Sequence, residues 1–108
     1  MLRKRVTEEI QWLGFSLSHK GTMYLIESIC IVANLKGGDI NNLSSEIYPI
    51  IAKRHQKTTH NIKCNINTAV TNMYYTCDSG TLRKYFKFHE EAKPNIKTII
   101  YTILNKIY

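Results

Sequence analysis

Thr59-His60-Asn61-Ile62-Lys63-Cys64-Asn65-Ile66-Asn67-Thr68-Ala69-Val70-Thr71-Asn72-Met73-Tyr74-Tyr75-Thr76 is the stretch on which the fold turns. Ile62, Ile66, Ala69, Val70 and Met73 recur at i, i+4, i+7, i+8 and i+11, one face of an α-helix. Thr58 stands in front of it as an N-cap. The other face carries His60, Asn61, Lys63, Cys64, Asn67, Thr68 and Thr71. No Asp or Glu occurs from Thr59 to Thr76.

The segment before it, about Leu43 to His55, is also helical in pattern. Ile47, Ile50, Ile51 and Tyr48 are its expected core residues, with Asn42 or Ser44 as cap. Pro49 is disfavoured inside a helix, so it either sits in a first turn or kinks the segment. Lys53, Arg54, His55 and Lys57 crowd the end, and Gln56-Lys57 is a short polar turn. Two such helices joined by such a turn have the arrangement of a helix-turn-helix. There the second helix enters the major groove while the first crosses the backbone. An acid-free outer face suits a groove walled by phosphates.

Further out the pattern stays helical. A first segment, Val6 to Leu13, carries Val6, Ile10 and Leu13 on one stripe, with Thr7-Glu8-Glu9 in its first turn and Gly14 ending it. Arg3, Lys4 and Arg5 read as a solvated tail before it. A second segment runs from about His19 to Leu35, capped by Ser18 and stopped by Lys36-Gly37-Gly38. Its wide stripe of Met23, Leu25, Ile26, Ile29, Cys30, Val32 and Ala33 predicts a central helix. After a turn at Asp78-Ser79-Gly80 comes a short fifth segment, Thr81 to Phe86, then a loop from Glu90 to Pro94. The last segment, Pro94 to Ile107, has Ile96, Ile99, Ile100, Ile103, Leu104 and Ile107 as its stripe. The expectation is one all-α domain over residues 1–108, a compact six-helix fold containing a helix-turn-helix.

Composition bounds the partners. Fifteen Lys+Arg against 8 Asp+Glu leave a net charge of +7, which points to an anionic partner. That partner is nucleic acid first and a membrane surface second, between which charge alone does not choose. With 44% hydrophobic residues and no apolar run long enough for a transmembrane helix, the chain reads as globular, and the expected partner is duplex DNA, not a membrane. Cys30, Cys64 and Cys77 are odd in number and far apart, which predicts free thiols in a reducing cytoplasm. His60 and Cys64 share a helix face, but two ligands fall short of the four a structural zinc needs, so no metal is expected. A Gly-rich phosphate loop, a His-Glu-x-x-His run and paired carboxylates on one helix face are all missing. The chain therefore reads as no enzyme, with no cofactor and no small-molecule substrate.

Three runs add a family resemblance. Lys20-Gly21-Thr22-Met23-Tyr24-Leu25, Tyr48-Pro49-Ile50-Ile51-Ala52-Lys53, and Thr58 leading into Ile66 and Ala69 resemble the C-terminal effector domain of the sporulation master response regulators of spore-forming Firmicutes. That family shows Lys-Gly-x-x-Tyr-Leu, Tyr-Pro-x-Ile-Ala-Lys and a Lys-Pro before the last helix, here Lys93-Pro94. Gly14, Ile29 and Phe86 also fall at matching places, and the resemblance spans Val6 to Ile107. It implies a transcription factor that binds short boxes in double-stranded DNA, often as tandem copies. It also implies a preceding receiver domain, which this sequence does not contain; an excised fragment and a stand-alone relative both fit. Where the family usually carries Arg, Glu-Arg and Arg on its reading helix, this chain has Asn61, Lys63-Cys64 and Asn67. The stretch from Lys87 to Lys93 is a few residues shorter than usual. The expectation is an altered or relaxed box, richer in A·T, or binding through the backbone alone.

The candidate site follows. Asn61, Lys63, Cys64 and Asn67 are the base-reading residues, with Thr71 and Thr68 farther along. His19, Lys20 and Gly21 at the start of the second segment form a phosphate clamp. Lys57, Thr58, His60 and Lys93 add phosphate contacts. The alternative reading is a protein-interaction or self-association module, a homodimer included, that kept the scaffold and uses the Ile-rich face of the last helix.

Overall fold

The computed structural model describes residues 2–34, 43–76 and 95–107. Within them the chain forms α1 (Leu2–Trp12), α2 (Lys20–Ala33), α3 (Leu43–Glu46), α4 (Tyr48–His55), α5 (Thr59–Thr76) and α6 (Ile96–Ile107). There is no strand among the described residues. The fifth segment, Thr81 to Phe86, the turn at Asp78-Ser79-Gly80, the stop at Lys36-Gly37-Gly38 and the loop with Lys93 lie outside the described residues.

α2 is the hub. It packs most extensively on α5 and also meets α1, α4 and α6. Leu25, Ile26 and Ile29 of α2 are buried with Val6 and Ile10 of α1, Ile62, Ile66 and Val70 of α5, and Ile99, Ile100 and Ile103 of α6. The wide stripe read from the sequence is thus a central helix. Its edges differ, however: Met23 is exposed, Cys30 and Ala33 are half-buried, and Thr22, Tyr24, Glu27 and Ser28 are buried. Ser28 offsets its burial by donating its hydroxyl to the Tyr24 carbonyl at 2.9 Å. Burial also pushes the Cys30 thiol up, partly offset by the Arg3 charge.

Several expectations need correction. α1 starts at Leu2, so Arg3, Lys4 and Arg5 are helical rather than a free tail. Cations at a helix start oppose the dipole, but that effect is worth less than about 1 kcal/mol. Leu2 packing on the core outweighs it. Thr7 is inside the helix and donates its hydroxyl to the Arg3 carbonyl at 2.8 Å. Gly14 does close this helix, with φ 103° and the Phe15 N–H bonded back to the Ile10 carbonyl. The N-cap of α2 is His19, without a side-chain cap; the Ser18 hydroxyl pairs with Ser16 instead, at 2.7 Å.

The third segment is two helices. Ile47, with φ −107° and ψ −51°, separates them, and Pro49 lies in the first turn of α4, where its missing N–H is not needed. The new start rotates the pattern: Tyr48, Ile51 and Ala52 turn inward and Ile50 is exposed. The cap candidates Asn42 and Ser44 lie outside the described side chains. α6 is capped by Asn95, whose Oδ1 accepts the Thr98 N–H at 2.8 Å. Its Ile99, Ile100 and Ile103 are fully buried, whereas Ile96 and Leu104 are only partly so.

Tyr48 is 2% exposed and its hydroxyl has no hydrogen-bond partner among the described residues. Burial pushes its phenol up to about 12. The unfolded phenol ionises near its ordinary value while the buried one cannot. This part of the stability is therefore present below about pH 10 and lost as pH rises towards 12. Tyr48→Phe is expected to flatten this alkaline loss. At neutral pH it should leave stability unchanged or raise it by up to about 1 kcal/mol, because no bond is removed. Urea midpoints of both proteins at neutral and alkaline pH check this.

Candidate nucleic-acid interface

α4 and α5 are joined through a left-handed residue. Gln56 has φ 55° and ψ 45°, and the Lys57 N–H bonds back to the Ala52 carbonyl at 2.9 Å. That geometry stops α4 sharply and sends the chain into Lys57 and Thr58, both exposed. Thr58 Oγ1 accepts the Asn61 N–H at 3.0 Å, as an N-cap does. Its own O–H proton is left available for an anion at this helix start.

The buried stripe of α5 is Ile62, Ile66, Ala69, Val70 and Met73, as read from the sequence. At 100° per residue, His60, Cys64 and Thr71 stand opposite that stripe, with Asn61 and Thr68 on one flank and Lys63 and Asn67 on the other. His60, Asn61, Lys63, Cys64 and Thr68 are exposed, whereas Asn67 and Thr71 are half-buried. The open part of the face is thus its N-terminal half. His60 Nε2 lies 3.3 Å from Cys64 Sγ, so the two side chains form one unit. Thr68 and Thr71 donate their hydroxyls to the Cys64 and Asn67 carbonyls, at 3.0 and 2.9 Å. Their protons serve the helix rather than a base.

α2 touches this helix closely. A Cβ placed on Gly21 would lie 1.8 Å from the Asn65 carbonyl oxygen. Gly21 is buried between helices, a packing role with no signal in residue spacing. Its position brings the start of α2, where His19 and Lys20 are exposed, beside the middle of α5. The anchor on the α4 side also escaped the sequence reading. Glu27, nearly buried on α2, receives His55 Nε2 at 2.7 Å and Arg54 at 3.5 Å. The Tyr24 ring meets His55 edge-on at 5.0 Å. A lone Glu within an apolar stripe was the available signal. With its carboxylate covered in this way, the surface of α4 and α5 is basic: no Asp or Glu occurs from Ile47 to Cys77.

The chain matches the family described as sporulation initiation factor Spo0A C terminal over residues 6–107. The chain belongs to this family. The Spo0A C-terminal family is a DNA-binding domain of a sporulation transcription factor, and not a family of enzymes. The matched span takes in α1 from Val6 onward and the whole of α2 to α6. Cys30 and Cys64 are both free. No described helix is long and apolar enough to cross a membrane.

Proposed function

We propose that α4 and α5 act as a helix-turn-helix, with the N-terminal half of α5 lying in the major groove of duplex DNA. The observation that carries this reading is the exposed face His60, Asn61, Lys63, Cys64 and Thr68, free of acids and entered through the Gln56 turn. Asn61, Lys63 and Asn67 read bases, with Cys64 between them and Thr71 at the margin. Lys20 and His19, Lys57, Thr58 and His60 hold phosphates, and Lys93 joins them by its family match. Gly21 lets α2 approach α5 and, as the second residue of α2, joins His19 and Lys20 in the phosphate clamp at that helix start.

Its Asn and Lys side chains favour a box different from that of an Arg-rich relative. An Asn whose amide is free to offer both ends pairs with adenine, and Lys pairs with guanine; a good base contact of this kind discriminates by about 1–3 kcal/mol. Selection of bound sequences from a random duplex library tests the reading and identifies the box. Each phosphate neutralised by a lysine steepens the slope of log K on log salt by about 0.9, so Lys20, Lys57 and Lys93 together give about −2.7, roughly a forty-fold loss from 50 to 200 mM. Asn67→Ala is expected to relax preference at one base pair, and Lys20→Ala to weaken all sequences alike. If both variants lower affinity equally for selected and random DNA, Asn67 does not read a base.

A further inference from the structure

We propose that Asn65 is a positioning residue for base reading: it turns the oxygen of the Asn61 side-chain amide back along α5 and leaves the amide nitrogen as the end offered to a base. The inference rests on α5 being the groove helix. Asn65 Nδ2 donates to the Asn61 carbonyl oxygen at 2.8 Å and to Asn61 Oδ1 at 3.1 Å. The Asn61 N–H is held by Thr58 Oγ1 at 3.0 Å. The backbone of Asn65 is held where its carbonyl lies against Gly21 of α2, and its side chain is half-buried. Asn61 is exposed, and its Nδ2 has no partner among the described residues.

An unrestrained Asn offers either end of its amide and reads adenine with both. The amide is planar, so an oxygen held towards Asn65 puts the nitrogen on the far side of Cγ. Asn61 then acts as a donor. It suits base edges rich in acceptors, guanine O6 and N7 or thymine O4, over the amino group of cytosine. Asn65→Asp reverses the arrangement. A carboxylate only accepts, so it takes a hydrogen bond from the side-chain Nδ2 of Asn61 and turns Oδ1 outward. The favoured partner becomes an amino group, cytosine N4 or adenine N6.

The test is selection from a random duplex library with the whole chain and its N61A, N65A and N65D variants. N61A and N65A are expected to lose preference at the same base pair, each by roughly five- to tenfold. Affinity for unselected duplex should change by less than about twofold in N65A, since no phosphate contact is removed. N65D should move the preference at that base pair to a base with an amino group. Loss at a different base pair would mean that Asn65 touches DNA itself, and unchanged preference would mean that Asn61 needs no orientation; either overturns the proposal. In the free protein, the Asn65 side-chain amide protons should exchange more slowly than those of exposed Asn72. Equal rates would overturn it without reference to DNA. If the unaltered chain selects no box while the exchange difference is present, the groove reading has failed and the positioning role falls with it, although the Asn65–Asn61 bond stands.

Discussion

Gly21→Ala is expected to remove about 3 kcal/mol of stability, a large share of the total for a chain of this size. In a helix interior, alanine is intrinsically better than glycine by about 1 kcal/mol, and in the first turn of α2, where Gly21 lies, it is better by less than that. Propensity alone therefore predicts a gain. Contact predicts the opposite, because the new Cβ would lie 1.8 Å from the Asn65 oxygen and 2.5 Å from its carbonyl carbon. Both are backbone atoms and cannot swing aside. α2 and α5 must part until the closest contact exceeds 3.0 Å, and the Ala69 Cβ at 3.1 Å blocks a simple slide. Parting them loosens Ile62 and Ile66, which are fully buried. The protein that remains folded should bind every duplex more weakly, because Lys20 shifts relative to α5. Urea denaturation gives the stability, and a loss under about 1 kcal/mol would show that the two helices slide past one another at little cost.

The second large effect is electrostatic. Lys63→Glu is expected to weaken binding to random duplex by roughly fifty-fold near 0.1 M salt, and Lys63→Gln by roughly tenfold or less. Lys63 is exposed on α5 and has no ion pair among the described residues, so neither change should alter the fold. Whether the ammonium contacts a base or a phosphate, a carboxylate there faces the phosphates that wall the groove, and the salt slope should become shallower by about two charges. The glutamine variant separates two roles. A loss shared by all sequences marks a phosphate contact, and a loss confined to one base pair marks base reading. Fluorescence anisotropy at several salt concentrations measures both. Unchanged affinity in Lys63→Glu would remove this face from the interface.

α5 was legible because its five inward residues keep one helical phase over three turns and a cap precedes them. α2 was legible as the hub because no surface helix needs so wide a stripe. Ile50 was misplaced for a definite reason: a continuous helix from Leu43 puts it inside, and the break at Ile47 resets the phase. The helical Arg3-Lys4-Arg5 was missed because a small dipole preference was weighed without the packing of Leu2. Within the candidate site, the exposed positions of α5 could be read from spacing. Gly21 beneath Asn65 and Glu27 beneath His55 could not, because each depends on where two distant helices cross. Asn65 stood four residues from Asn61, a spacing that allows a side-chain bond, yet its half-buried position only emerges once α2 is in place.

The turn before α5 has one more bearing on the protein. A side chain in the left-handed region is disfavoured by about 1–2 kcal/mol, and glycine escapes that penalty. Gln56 accepts it at the joint between α4 and α5. A glycine there would relax the joint and also widen its range of angles, so the tension at Gln56 acts as a stiffener that keeps a short rod and a long one at one inclination.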